Sequence, residues 1–110
     1  MKLYLDTSTD TCILRLDDKE YTREGRYDLA EQIFAFVRDK LHENRADWHD
    51  ISEITFFSGP GSFTGLRIGA AIVNALADQL NIPLYDETGT LHKIILPNYG
   101  RPANISKPKK

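Results

Sequence analysis

Eleven residues, Gly59-Pro60-Gly61-Ser62-Phe63-Thr64-Gly65-Leu66-Arg67-Ile68-Gly69, constrain this chain more than any other stretch. The run Ile54-Thr55-Phe56-Phe57 before them reads as a buried strand, and residues 68–80 after them read as a helix, so the stretch is a strand-to-helix turn. Open α/β sheets place their sites at such turns. Gly59 and Gly61 allow backbone angles closed to other residues, Pro60 stiffens the chain, and Ser62 or Thr64 supplies an N-cap oxygen. Two readings stand. A glycine-rich loop at a helix N-terminus suits a phosphate, with Gly61 and Ser62 as contacts. We favour a structural turn, because the Lys-Ser/Thr ending of a P-loop and the three-glycine dinucleotide spacing are both absent.

On a helical wheel Thr64, Arg67, Asn74 and Asp78 share one narrow stripe, while Leu66, Ile68, Ile72, Val73, Leu76 and Leu80, with small residues, take nearly all the rest. Such a helix is expected to be buried on more than one side. Gly65 and Gly69, four apart, either leave a ridge that a second helix approaches closely or relieve crowding against the sheet. An earlier helix is expected to start from an N-cap at Asp28, with Glu31 three residues on, and to run to about residue 42 or 44. Its Leu29, Ala30, Ile33, Phe34, Phe36, Val37 and Leu41 span about 160°, wider than the stripe of roughly 100° that covers a sheet. A chain of 110 residues has few other elements to hide the surplus. Both helices are therefore expected to meet a second molecule, through Leu29, Ile33, Phe34, Phe36 and Val37 of the first and Gly65, Leu66, Gly69, Ile72, Val73 and Leu76 of the second. Phe34 and Phe36 are the candidate aromatic anchors.

The remaining elements follow from alternation and turn residues. Residues 2–6 and 12–16 read as a hairpin, residues 20–24 as a more polar edge strand, residues 53–58 as a buried strand and Leu84-Tyr85 as a short one after the breaker Pro83. Trp48, in the polar connection 44–50, is expected to fold back onto the core, and residues 91–96 are ambiguous between helix and strand. The order is α/β with mixed strand directions. One cysteine, Cys12, allows no internal disulfide, which agrees with a reducing cytoplasm. Neither a leader nor an apolar run of the roughly 20 residues that span a membrane is read. The net charge is −2, and Arg101, Lys107, Lys109 and Lys110 near the end leave an acidic body that is no nucleic-acid surface.

Residues 59–69 resemble the signature of the TsaB (YeaZ) family, the partner subunit in bacterial synthesis of the threonylcarbamoyl modification on tRNA adenosine. Leu3-Tyr4-Leu5-Asp6-Thr7-Ser8-Thr9, with the strand from Cys12 onward, is similar to the family's first hairpin, and Asn81-Ile82-Pro83-Leu84 resembles the strand after its second helix. The resemblance implies a single ribonuclease-H-like lobe of the actin-like ATPase (ASKHA) architecture, a mixed sheet with two main helices over residues 1–96, followed by a basic, proline-containing flexible tail over 97–110. It implies a non-catalytic cytoplasmic subunit that binds a TsaD-like catalytic subunit through its two helices, with a TsaE-like ATPase joining. On that reading ATP and magnesium belong to the partners, no cofactor belongs to this chain, and tRNA is met only indirectly. Family members normally carry a second lobe, so a complete nucleotide site within this chain is not expected. Related ATPases hold phosphate with an aspartate and hydroxyls where this chain has Asp6, Ser8 and Thr9, although these are also ordinary turn residues. Where the family often has a histidine before the acid matching Glu31, this sequence has Leu29-Ala30.

No catalytic residue is nominated. His42, His49 and His92 are scattered without metal-ligand spacing, and Ser62 lacks the Gly-x-Ser-x-Gly elbow. Two alternatives remain beside the partner role: a small phosphate- or nucleotide-binding protein using Asp6, Ser8, Thr9, Gly61 and Ser62, and a homodimer built on the same helix face.

Overall fold

Leucines alternating with polar residues give the first strands one buried face. In the computed structural model, which describes residues 1–24 and 30–98, strand β1 is Lys2–Asp6, with Leu3 and Leu5 inward. Strand β2 (Cys12–Leu16) returns antiparallel to it and β3 (Lys19–Arg23) returns again. The β2–β3 turn closes on Asp17, whose φ is 54° and whose carboxylate accepts from the Lys2 N–H at 2.8 Å. Helix α1 (Ala30–Glu43) crosses to β4 (Glu53–Phe56), helix α2 (Phe63–Leu80) crosses to β5 (Leu84–Asp86), and a two-residue β6 (Leu91–His92) closes the edge. The six-stranded order is β3-β2-β1-β4-β5-β6, with β1, β4 and β5 mutually parallel.

Two parallel crossovers stepping in the same direction put both helices on one face of the sheet. There Leu3, Leu5, Leu14, Ile54, Phe56 and Leu84 meet Ile33, Val37, Leu41, Leu66 and Val73 in a single buried cluster. The opposite face carries Tyr4, Ile13, Arg15, Thr55 and Tyr85, half-buried or exposed, with the Arg15 guanidinium 4.6 Å from the Tyr4 ring centre and bonded to Glu20 at 2.8 Å.

Several boundaries differ from the sequence reading. Helix α2 starts at Phe63, five residues before the expected Ile68, because Ser62 caps it inside the glycine-rich turn and accepts from the Gly65 N–H at 3.2 Å. Asn81 ends it in the left-handed region, at φ 55°. The ambiguous segment after the Thr88-Gly89 turn is β6 followed by an extended stretch clamped to α2. The Asn74 side chain accepts from the Ile95 N–H at 2.8 Å and donates to its carbonyl at 3.0 Å. The Asn98 N–H then donates to the Ser58 carbonyl at 2.7 Å, so the first residues of the expected tail are held, and the rest lie outside the described residues. Asp28, the expected N-cap of α1, also lies outside them. Trp48 is half-buried in a 3₁₀ turn (Trp48–Asp50) and its ring packs on Phe34, with centroids 4.7 Å apart.

Candidate functional site

The turn after β1 and the glycine-rich turn after β4 meet at the same end of the sheet. A Cβ on Gly61 would lie 2.6 Å from the Ser8 carbonyl oxygen, so only glycine admits this approach. The Ser62 N–H donates to that carbonyl at 2.7 Å, and the Thr7 hydroxyl, fully buried, donates to the Gly65 carbonyl at 2.7 Å. Four of the five residues read as phosphate contacts, Asp6, Ser8, Gly61 and Ser62, are thereby brought together. Their groups are committed to one another: Asp6 Oδ1 accepts from the Ser8 N–H at 2.8 Å and from its hydroxyl at 2.6 Å, and the Ser62 hydroxyl is the helix cap. Thr9 is exposed, and its hydroxyl closes a local turn with Thr11. Such an arrangement joins two turns and a helix end rigidly. Beside it, Glu87 accepts from the Ser58 N–H and hydroxyl, both at 2.9 Å. Burial alone pushes the Glu87 carboxyl up, but those bonds outweigh it and hold the group below the usual carboxylate range.

The helix pair corrects the expected partner surface. Ile33 and Val37 of α1, and Gly65, Leu66, Gly69, Ile72, Val73 and Leu76 of α2, are buried within the chain's own core. The wheel arcs are wide because the two helices cover each other as well as the sheet, a neighbour that the wheel does not show. Gly69 points at the sheet, where a side chain would run into the Thr7 hydroxyl and the Phe56 ring, and Gly65 is buried with its carbonyl accepting from the Thr7 hydroxyl. Phe36 is half-buried against the core, with the Lys40 ammonium 6.0 Å from its ring centre, and Leu29 lies outside the described residues. Phe34 is the expected anchor that does face outward, 38 % exposed.

What remains outside is a smaller, smoother face. Along α2 it presents Phe63, 59 % exposed, then Thr64, Arg67, Ala71 and Ala75, with Ile68 half-buried beside them. Two hollows flank this row. One, of about 320 Å³, is lined by Ala30, Phe63, Thr64, Arg67, Ile68 and Ala71. The other, of about 310 Å³, lies between Phe34, Trp48, Ala75, Leu76 and Leu80. The sequence reading did not assign Arg67, Ala71 and Ala75 to the outward face because it weighted large apolar side chains, and it left out Phe63 and Trp48 because it placed one in the turn and the other in the connection between elements. Small residues spaced by four on the polar-edged side of the α2 wheel were the available signal.

Among the described residues no group of His, Cys, Asp and Glu is arranged to hold a metal ion, and no helix is long and apolar enough to cross a membrane. Cys12 is fully buried; burial first, and then the nearby Asp6 charge, push its thiol up to about 12. His92 Nε2 pairs with Asp86 Oδ2 at 2.7 Å, and His42 and His49 are exposed.

Comparison with known proteins places this geometry. A family model described as "TsaD: tRNA N6-adenosine threonylcarbamoyltransferase" matches residues 26–96. Among curated proteins, the tRNA threonylcarbamoyladenosine biosynthesis protein TsaB of Escherichia coli is 32 % identical over 87 residues, covering 74 % of this chain and 37 % of its own length. That of Bacillus subtilis is 33 % identical over 87 residues, covering 74 % and 38 %. The solved structure of YeaZ from Pseudomonas aeruginosa superposes with a TM-score of 0.66 at 35 % identity, over 77 % of this chain and 42 % of that one. The chain thus spans about two fifths of the length of the relatives it matches. The shared architecture is the ribonuclease-H-like lobe of the actin-like ATPases, a mixed sheet with two main helices.

Proposed function

The chain belongs to the TsaB (YeaZ) family, within the wider group that the threonylcarbamoyltransferase model describes, and from that premise we propose that it is a non-catalytic partner in synthesis of the threonylcarbamoyl group on tRNA adenosine. Its role is to dock a TsaD-like catalytic subunit, with a TsaE-like ATPase joining the assembly, and so to hold the enzyme in its working arrangement. ATP, magnesium and tRNA are then handled by the partners.

The observation that carries this reading is the outward face of α1 and α2. Phe34 and Phe63 stay exposed beside two hollows, and Ala71 and Ala75 between them let a facing helix approach closely. The match of one lobe to both an enzyme model and its partner proteins supports a related lobe as the docked body, since like surfaces pair about an approximate two-fold. Among the described residues, Asp6 Oδ1, the Ser8 hydroxyl and N–H and the Ser62 N–H are engaged within the two turns, which favours a binding role over the nucleotide alternative.

The test is association with the cognate catalytic subunit, measured by light scattering at micromolar concentration. The wild-type chain is expected to form a one-to-one complex, and Ala71→Trp, at an exposed position, to weaken it by about thirtyfold or more. Absence of any complex overturns the reading, as does an Ala71→Trp chain that binds like wild type. Titration with ATP and magnesium, in which the chain alone is expected to show no saturable binding lost in Asp6→Ala, separates the phosphate-binding alternative.

A further inference from the structure

The two faces of the sheet differ in charge as well as in cover. On the side away from the helices Tyr4, Thr55 and Tyr85 lie half-buried in one row, because Thr55 pairs with Tyr4 of β1 and with Tyr85 of β5. Carboxylates surround that row. Alternation along the strands puts Asp6, Glu20 and Glu53 on this side, with Lys2 and Arg15 as its bases, and Arg15 is already tied to Glu20 at 2.8 Å. The Tyr4 phenol registers them. Burial first and then Asp6 push it up, Glu87 and Glu20 add to the effect, and Arg15 opposes it. Beside Tyr85 the face sinks into a hollow of about 350 Å³, lined by Glu53, Thr55, Tyr85, Asp86, Glu87 and Gly89, with three carboxylates and no base. Among the described residues neither Glu53 nor Glu87 has an ion-pair partner.

The chain supplies its own counter-charge. Residues 99–110, outside the described residues, hold Arg101, Lys107, Lys109 and Lys110 and no acid, so a chain of net charge −2 carries −6 over residues 1–98. They also start at the rim of this face. The Asn98 N–H donates to the Ser58 carbonyl at 2.7 Å, and the N–H and hydroxyl of the same Ser58 donate to Glu87 at 2.9 Å. From Ser58 back to Glu53, at the start of β4, is about 17 Å of strand, whereas the chain from Asn98 to Lys107 reaches up to about 30 Å. Exposed charges attract weakly one by one, but a tether of this length sets an effective concentration of about millimolar. Weak affinity is then enough to fill the face. Aromatic rings are also the surface on which proline-containing segments settle, and Pro102 and Ile105 lie between the first base and the last three.

We propose that residues 99–110 dock on the helix-free face of this chain's own sheet, with Arg101 at Glu87, Lys107, Lys109 and Lys110 in the acidic hollow toward Glu53, and Pro102 and Ile105 on the rings of Tyr4 and Tyr85. The contact shields an acidic surface from other basic chains until the segment is displaced. It lies on the opposite side of the sheet from the face of the proposed partner role and does not depend on that role.

A nitroxide attached in the Ser106→Cys variant of the full 110-residue chain, read by the loss of amide signals in NMR, tests this, since Cys12 is buried and stays unlabelled. At low salt the amides of Thr55 and Tyr85 are expected to lose most of their intensity relative to the reduced label, while those of Ala71 and Ala75, on the outer side of α2, keep theirs. Salt at about 1 M, where screening acts within about 3 Å, is expected to restore the lost signals. Arg101→Glu, Lys107→Glu, Lys109→Glu and Lys110→Glu together are expected to do the same. Intact signals in the labelled chain, equal loss on both sides of the molecule, or loss that survives the four substitutions overturns the proposal. An equal mixture of nitroxide-bearing chain with isotope-enriched chain that carries no nitroxide reads docking between molecules. Loss of the Thr55 and Tyr85 signals in that mixture overturns docking within one chain, and its absence there supports it.

Discussion

Single atoms decide much of this structure. Gly69 lies where α2 crosses β1 and β4, so Gly69→Ala drives a methyl into the Thr7 hydroxyl and the Phe56 ring, both deeply buried. Overpacking of this kind costs about 1–3 kcal/mol, and a urea melt of Gly69→Ala is expected to show a loss of that size despite alanine's better helix propensity. A stabilised variant would mean that the helix can shift outward. Asp86 offers a second residue-scale test. The Thr88 hydroxyl first, then His92 and the backbone N–H groups of Thr90 and Thr88, hold its carboxyl well below the usual range. A carboxylate lowered on folding stabilises above its unfolded value of about 3.9, and that contribution is lost as pH falls through the folded value. The stability gap between wild type and Asp86→Asn is thus expected to be full at neutral pH and to close progressively below about pH 5. A gap independent of pH across that range would show that the carboxylate charge is not what organises the turn.

Elements here are joined by a few side-chain-to-backbone bonds more than by extra strands. Among the described residues the segment after β6 pairs with no strand beyond residue 92, and Asn74 of α2 satisfies both backbone groups of the buried Ile95. Asn74→Ala leaves those groups unpaired, at a cost of about 1–3 kcal/mol, and hydrogen exchange at the Ile95 amide is expected to quicken more than exchange in β1. Equal changes at both sites would mean that the segment and the core open together. Asn74 was legible in the sequence only as a member of a polar stripe; no local pattern says that it holds the backbone of Ile95, 21 residues later. The strands themselves were legible, since Leu3, Leu5, Leu14 and Leu16 alternate with polar residues and the turns carry aspartate and glycine. The helical interface was misread for a definite reason. An apolar arc measures how much of a helix avoids water, but it does not tell whether a sheet, a sister helix or another molecule supplies the cover.

At the scale of the whole molecule, both helices share one side of the sheet, and on the other the central parallel strands carry the half-buried Tyr4, Thr55 and Tyr85. Cys12 reports on the integrity of that arrangement: it is fully buried in β2, and its thiol stays protonated at pH 8 because burial pushes it up to about 12. Its reaction with a thiol reagent is expected to be negligible in the native chain and to rise with urea in step with global unfolding. Fast native labelling would show that the β1–β2 side opens on its own. The sequence by itself determined the α/β order, the capped glycine-rich turn, the β1–β2 hairpin and the family, because alternation, turn chemistry and a long motif are local and survive without neighbours. Tertiary structure alone decided that Gly69 faces the sheet and Gly65 is buried, that Asn74 clamps Ile95, and that Phe34, Phe63, Arg67 and Ala71 are exposed. Which side of a helix is covered depends on the crossing of elements far apart in the chain, and no short stretch of residues records that.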